Sequence, residues 1–356
     1  MISRRVEIVA WVAGCAGLAG SIAGWLTDPG DFAYAWLAAV ILGVGWPLGS
    51  IALVHVHALT GGGWGWAIRP QLAFGTAALA VVLPAMIPIA LLAGRLYPWM
   101  HPEGAEGLLN TWYLNPGFFY GRGIGYAVIW LGIGVVTLTG LRRADPQPLL
   151  YRIAAPCLIL LELSVTFAAI DATLSLEPKF KSSVYGMLVS AEAVLFALSL
   201  ATLAALVIAP LEAKTREDLG KLILALTIFW AYLDFMQILV IWNSDLPGEA
   251  AWYVHRVTSG WAWVAGLVAL LHFFIPFFLL LWPQMQRSRR ALAIVAAMLV
   301  VAEVPHAWWL VLPSSPHGFN WIDVAAMFAV MGIAAGVSLS GFRLPLMPQA
   351  IRQNHA

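Results

Sequence analysis

Glu162, Glu192, Asp234, His272, Glu303 and His306 fall inside stretches otherwise long and apolar enough to cross a bilayer. A charge at the centre of a membrane costs about 2.5–3.5 kcal/mol on insertion scales. Groups kept at that cost commonly move protons, move ions or hold a polar ligand. Their spacing narrows the chemistry. Asp234 and Gln237 are three residues apart, as are Glu303 and His306, so each pair shares one face of a helix. A carboxylate beside a histidine or a glutamine can hydrogen-bond the two ends of a quinone ring or take its protons.

The elements that carry these groups are read from hydropathy. The chain has 356 residues, 61% of them hydrophobic and 10% charged, and a mean hydropathy of +0.84. Soluble domains carry about 25% charged residues, so an all-α polytopic membrane protein is expected. Residues 1–356 form one integral membrane domain, with no room for a soluble one. A net charge of +1 gives no reason to expect a nucleic-acid partner. Cys15 and Cys157 both lie in apolar stretches. With no CxxC and no Cys/His spacing, neither an Fe–S cluster nor a structural zinc is expected, and no metal ligands are assigned. The eighteen tryptophans exceed what interfacial belts require. They pack helices or wall a flat ligand.

Ten transmembrane helices are expected, at Val6–Leu26, Tyr34–Leu59, Leu72–Leu96, Arg122–Leu141, Leu149–Asp171, Ser183–Ile208, Leu219–Trp242, Thr258–Leu281, Ala291–Val311 and Trp321–Gly341. The first follows Arg4 and Arg5 but exceeds a signal-peptide core in length, so it is read as a span. Lys and Arg fix the orientation. Fourteen lie at the termini and in the even-numbered loops, among them Arg142, Arg143, Arg287, Arg289, Arg290, Arg343 and Arg352. Five lie in the odd-numbered loops: Arg95, Arg122, Lys179, Lys181 and Arg256. Both termini are therefore expected in the cytoplasm. The external loops Tyr97–Gly121, Ala172–Ser182 and Asn243–Val257 are rich in Trp, Pro, Tyr and Asn, so ordered loops are expected.

At 1.5 Å of rise per residue, Glu162, His272 and Glu303 fall near mid-membrane. Glu192, Asp234 and His306 fall in the outer half, and Asp171 and Asp323 at the outer surface. His55 and His57 lie near the cytoplasmic end of the second span. A b-type haem needs two histidines on facing helices at one depth, and no such pair is found, so no haem is expected. Trp112-Tyr113-Leu114 ahead of the fourth span and Trp252-Tyr253-Val254 ahead of the eighth, each followed by an arginine, suggest a weak parallel repeat.

Two segments carry a family pattern. In one, Asp171, Ser175, Leu176, Glu177, Pro178, Ser183, Tyr185 and Gly186 stand as D-x-x-x-S-L-E-P-x-x-x-x-S-x-Y-G. In the other, Asp218 and Lys221 precede Phe229, Trp230, Tyr232, Asp234 and Gln237, then Ile241-Trp242-Asn243 and Leu246-Pro247 with Glu249. This resembles the ActF-type integral membrane subunit of alternative complex III, a quinol:cytochrome c oxidoreductase, within the NrfD/PsrC-like superfamily. The resemblance spans about residues 40 to 330. It implies two four-helix bundles, spans 2–5 (residues 34–171) and 6–9 (residues 183–311), with the first and last helices flanking them. It also implies a bacterial cytoplasmic (inner) membrane location. The partners it implies are Fe–S and multihaem cytochrome c subunits and a paralogous NrfD-like membrane subunit, itself a candidate for the main quinol site.

The expected function is that of a non-haem subunit of a quinol-oxidising respiratory complex rather than a complete enzyme. Menaquinol or ubiquinol would bind near the outer face at Asp234, Gln237 and Glu192. Glu162, Asp171, His272, Glu303 and His306 would conduct protons. Two alternatives stay open: a proton-coupled secondary transporter or proton channel without redox partners, and a structural scaffold whose buried polar groups join helices.

Overall fold

The computed structural model describes residues 4–108, 110–244, 246–316 and 318–341. Arg343 and Arg352, counted in the charge argument, lie outside them. Among the described residues ten helices are long and apolar enough to cross a membrane. They are α1 (Arg4–Thr27), α2 (Pro29–Thr60), α3 (Gly63–Leu91), α4 (Pro116–Leu141), α5 (Gln147–Ala172), α6 (Tyr185–Ile208), α7 (Ala213–Ser244), α8 (Ala262–Leu280), α9 (Arg289–Val311) and α10 (Trp321–Gly341). The chain has the architecture of a multi-pass membrane protein. Most helix ends match the hydropathy expectation to within a few residues. α2 to α4 and α7 begin earlier, because polar and Gly/Pro-rich flanks continue the helix beyond the apolar run. Pro247–Thr258, all but its last residue expected as loop, is itself a helix.

Local chemistry explains the boundaries. Asp28 caps α2, its carboxylate accepting from the backbone N–H groups of Gly30 and Asp31 at 3.0 Å, and Pro29 occupies the first helical position. Asn115 caps α4 through Phe118 N at 2.9 Å, ahead of Pro116. α3 is interrupted near Ala78 and Met86, flanking Pro84 and ahead of Pro88. In α8 the turn Ala269–Phe274 widens into a π-helix just before Pro276. Proline has no N–H for the preceding turn and its ring crowds the carbonyl four residues back, here that of His272. The wider turn accommodates that carbonyl and leaves the His272 side chain fully buried.

α2 and α6 form the centre. α2 packs on α1, α3, α5, α6, α9 and α10, and α6 packs on α2, α3, α5, α7 and α9. Their closest approach is at Gly49, where an added Cβ would lie 2.0 Å from the carbonyl oxygen of Ala193. Further neighbours are α3 with α4, α7 and α10, α4 with α5, α7 with α8 and α9, and α8 with α9. α1 lies against α10 along Gly14 and Gly17 and exposes Val6, Val9 and Val12.

The loops after α3, α5, α7 and α9 gather at one end of the molecule and are ordered by side chains. Trp99 Nε1 donates to Ser175 O at 3.1 Å, and the Tyr97 hydroxyl donates to Ala172 O at 3.0 Å. Phe180 stacks on Trp252, with ring centroids 4.7 Å apart.

Candidate functional site

Four titratable side chains from three helices converge inside α6–α9. Glu192 stands on α6 among Ala191, Ala193 and Leu195. His272 is turned inward by the π-helical turn of α8. Glu303 and His306 share the inner face of α9, one turn apart. His306 Nδ1 and Glu192 Oε1 share a hydrogen bond of 2.5 Å, and His272 Nε2 and Glu303 Oε1 one of 2.8 Å. None of the four is more than 9% exposed. Trp230 of α7 closes the group, its ring centroid 4.2 Å from that of His272 and edge-on to His306 at 5.6 Å. The two imidazole rings are 6.1 Å apart. His272 Nδ1 and Trp230 Nε1 are buried without a hydrogen-bond partner among the described residues.

Cavities reach the cluster from two sides. The first, ≈410 Å³, lies among α2–α6. Its walls are Leu37, Val40, Ile41, Met86, Phe119, Ile124, Trp130 and Val165. Tyr97, Tyr126 and Asp171 line it at the loop end, and Glu192 and Glu303 line it at depth. The second, ≈800 Å³, lies against α7 and α8 and is lined by Trp230, Asp234, Tyr253, Arg256, Phe273, Phe277, His306 and Trp309. The hydrogen bond between Glu192 and His306 thus joins a group in the wall of one cavity to a group in the wall of the other. Such a pair can pass a proton between cavities by switching partners.

The residues singled out from the sequence divide into three groups. Glu192, His272, Glu303 and His306 come together. Asp234 lines the second cavity beside His306, but Gln237 is already engaged, accepting from the Ser182 hydroxyl at 2.7 Å and donating to the Tyr253 hydroxyl at 3.1 Å. Of these two cavities, Glu192 lines the first and Asp234 the second, and Gln237 lines neither. Asp171 and Glu162 stand apart from the cluster. Asp171 accepts two bonds of 2.8 Å from Arg122 and a third of 2.8 Å from the Tyr126 hydroxyl, which marks a fixed ion pair. Glu162 lies on the exposed surface of α5, with Thr166 at 3.4 Å.

Several contributors were not found from the sequence. Trp230 was noted only as part of a family pattern. Tyr97, in Tyr97-Pro98-Trp99, was likewise noted only as a family match, and Tyr126 gave no signal, since a tyrosine near a helix end is read as interfacial. At the loop end, Arg256 donates to Glu177 at 2.8 Å and to the carbonyl oxygens of Trp252, Trp309 and Leu310, with its guanidinium 3.5 Å over the Trp252 ring. Burial pulls this arginine below its usual range, while Glu177 opposes the shift. Tyr113, under the Arg122 guanidinium at 3.8 Å, is pushed up to about 12 by burial and then by Asp171. No family model matches the chain, and a comparison with curated proteins finds no relative.

Proposed function

We propose that this chain is a non-haem membrane subunit of a quinol-oxidising respiratory electron-transfer complex. Quinol enters the first cavity, and its protons leave through the Glu192–His306 and His272–Glu303 pairs. The carrying observation is an apolar cavity of ≈410 Å³ with three buried carboxylates in its wall, two of which, Glu192 and Glu303, are bonded to histidines at its inner end. Its volume falls within the range of small-ligand sites, and its few convergent polar groups suit a ring with oxygens at its ends. Quinol oxidation releases electrons and protons together, and a carboxylate hydrogen-bonded to an imidazole accepts a proton without stranding a charge in hydrocarbon. The electrons pass to Fe–S and multihaem cytochrome c partners, which the family resemblance implies together with a paralogous membrane subunit.

In this reading α2–α5 and α6–α9 are two four-helix bundles flanked by α1 and α10, in a bacterial cytoplasmic membrane. Both termini are cytoplasmic and the quinol cavity opens toward the outer face. The helix neighbours support the bundles, and the basic even-numbered loops support the orientation.

The test is purification through a tag on this subunit in mild detergent, followed by mass spectrometry, a reduced-minus-oxidised haem spectrum and quinol turnover. Co-purifying c-type haem and an Fe–S subunit are expected. Glu192→Gln should lower turnover by about 10²-fold or more, the usual loss for a removed proton acceptor, with assembly intact. A solitary, haem-free protein would overturn the reading. It would favour the second one, a proton-coupled transporter, to which the position of the cluster between two cavities also points.

A further inference from the structure

We infer that Glu192, Glu303 and His306 also form a binding site for a divalent transition-metal cation of the zinc class, with His272 available as a fourth ligand. Bound there, the cation blocks the cluster as a proton carrier. The inference rests on the reading of the cluster as a proton site only for this last consequence; the binding itself stands on geometry.

One donor atom from each of Glu192, Glu303 and His306 lies within 4.8 Å of the other two. Zinc bonds to nitrogen and oxygen of about 2.0–2.2 Å put neighbouring ligand atoms about 3.4 Å apart. The three donors therefore need to close in by about an ångström on a cation at their centre. His272 Nε2, now 2.8 Å from Glu303 Oε1, stands at the edge of the same group. Its Nδ1 has no partner among the described residues, so the proton that Nε2 now shares with Glu303 can move to Nδ1, and Nε2 then presents its lone pair to the cation.

Charge selects the cation. Two carboxylates carry two negative charges and two neutral imidazoles carry none, so a divalent cation leaves the site neutral inside apolar helices. A monovalent ion would leave one charge uncompensated. The donor set selects further. Calcium and magnesium favour all-oxygen shells with more ligands, whereas mixed imidazole and carboxylate donors at low coordination number suit zinc, and iron or manganese next. The cavities give the ion a way in, because Glu192 and Glu303 line one and His306 lines the other. Entry displaces the protons that the pairs share and opens the 2.5 Å bond between His306 and Glu192.

The test uses zinc chloride alone as the probe, on the complete chain in detergent and, where partners co-purify, on the complex. Expected are about one zinc per chain by equilibrium dialysis with elemental analysis, and binding that strengthens as pH rises because the ligands must shed protons. X-ray absorption should report only nitrogen and oxygen neighbours at about 2.0–2.2 Å. Glu303→Gln and His306→Gln, each checked for monodispersity, should weaken binding by about tenfold or more, and His101→Gln on the exposed loop should not. A sulfur shell would move the metal to Cys15 or Cys157 and overturn the site. So would binding that both cluster variants leave unchanged, or no binding at all. Should a variant fail to fold, the absorption spectrum of the unaltered chain still decides. Zinc bound at the cluster of a protein without quinol turnover would refute the respiratory reading and leave the metal site standing; turnover without zinc binding would do the reverse.

Discussion

The helix pairs α4/α5 and α8/α9 solve one packing problem with different chemistry. Each pair is closed at the loop end by an arginine laid on an aromatic ring and bonded to a carboxylate: Arg122 on Tyr113 with Asp171, and Arg256 on Trp252 with Glu177. Each is also tied deeper in the membrane by one hydrogen bond between the helices. In α4/α5 that bond runs from Trp130 Nε1 to Ser164 Oγ at 2.9 Å, a fixed donor and a neutral acceptor. In α8/α9 it joins His272 and Glu303 at 2.8 Å, and both groups titrate. The first pair is built to hold still. The second has the same tie but can change its protonation. The end ion pairs are structural in both, and function is to be sought where a neutral tie has become a titratable one.

Variants can break or sharpen this contrast. The largest effect is expected from Asp171→Ala, which leaves Arg122, half-buried between Tyr113 and Phe118, without its carboxylate. A loss of about 3–5 kcal/mol is expected, read as a lowered unfolding midpoint in a denaturant titration of the detergent-solubilised protein. If stability instead survives while turnover alone falls, Asp171 belongs to the chemistry and the contrast fails. Next is Glu303→Gln, which keeps shape and hydrogen bonding to His272 but removes the titratable group. Turnover should drop by about 10²-fold with the midpoint little changed, and equal losses of both would make the deep tie structural here too. Trp130→Phe removes the neutral tie while Ser164 keeps its bond to Leu161 O. The expected cost is about 1 kcal/mol of stability, with turnover falling far less than in Glu303→Gln even though Trp130 stands in the cavity wall. The smallest effect is expected from Glu162→Gln on the exposed face of α5, within about 0.5 kcal/mol of stability and with turnover unchanged. A large loss of turnover there would extend the proton route beyond the cluster.

Much of this was legible in the residues. The apolar runs located every span, but the caps at Asp28 and Asn115, which start α2 and α4 ahead of the apolar runs, were not read from them. The three-residue spacing of Glu303 and His306 put them on one face. The depth argument put His272 and Glu303 at one level but did not pair them, and the 2.8 Å bond between them appears only in the fold. It could not tell that Glu162, at the same depth, faces outward. Nor could it foresee that Gln237 is engaged by Ser182 and Tyr253, or that Asp171 is engaged by Arg122 and Tyr126.

By itself, then, the sequence determined the number of long apolar helices and roughly where each lies in the chain, because length and hydropathy are properties of one helix at a time. Which side chains meet was decided only by the tertiary structure. These helices are apolar nearly all round, so no polar stripe sets their rotation about their own axes. Rotation is settled by close packing: Gly49 letting α2 approach α6 at Ala193, and the widened turn ahead of Pro276 burying His272. Those contacts, made between distant parts of the chain, bring Glu192 to His306 and gather two carboxylates and two imidazoles into one buried site.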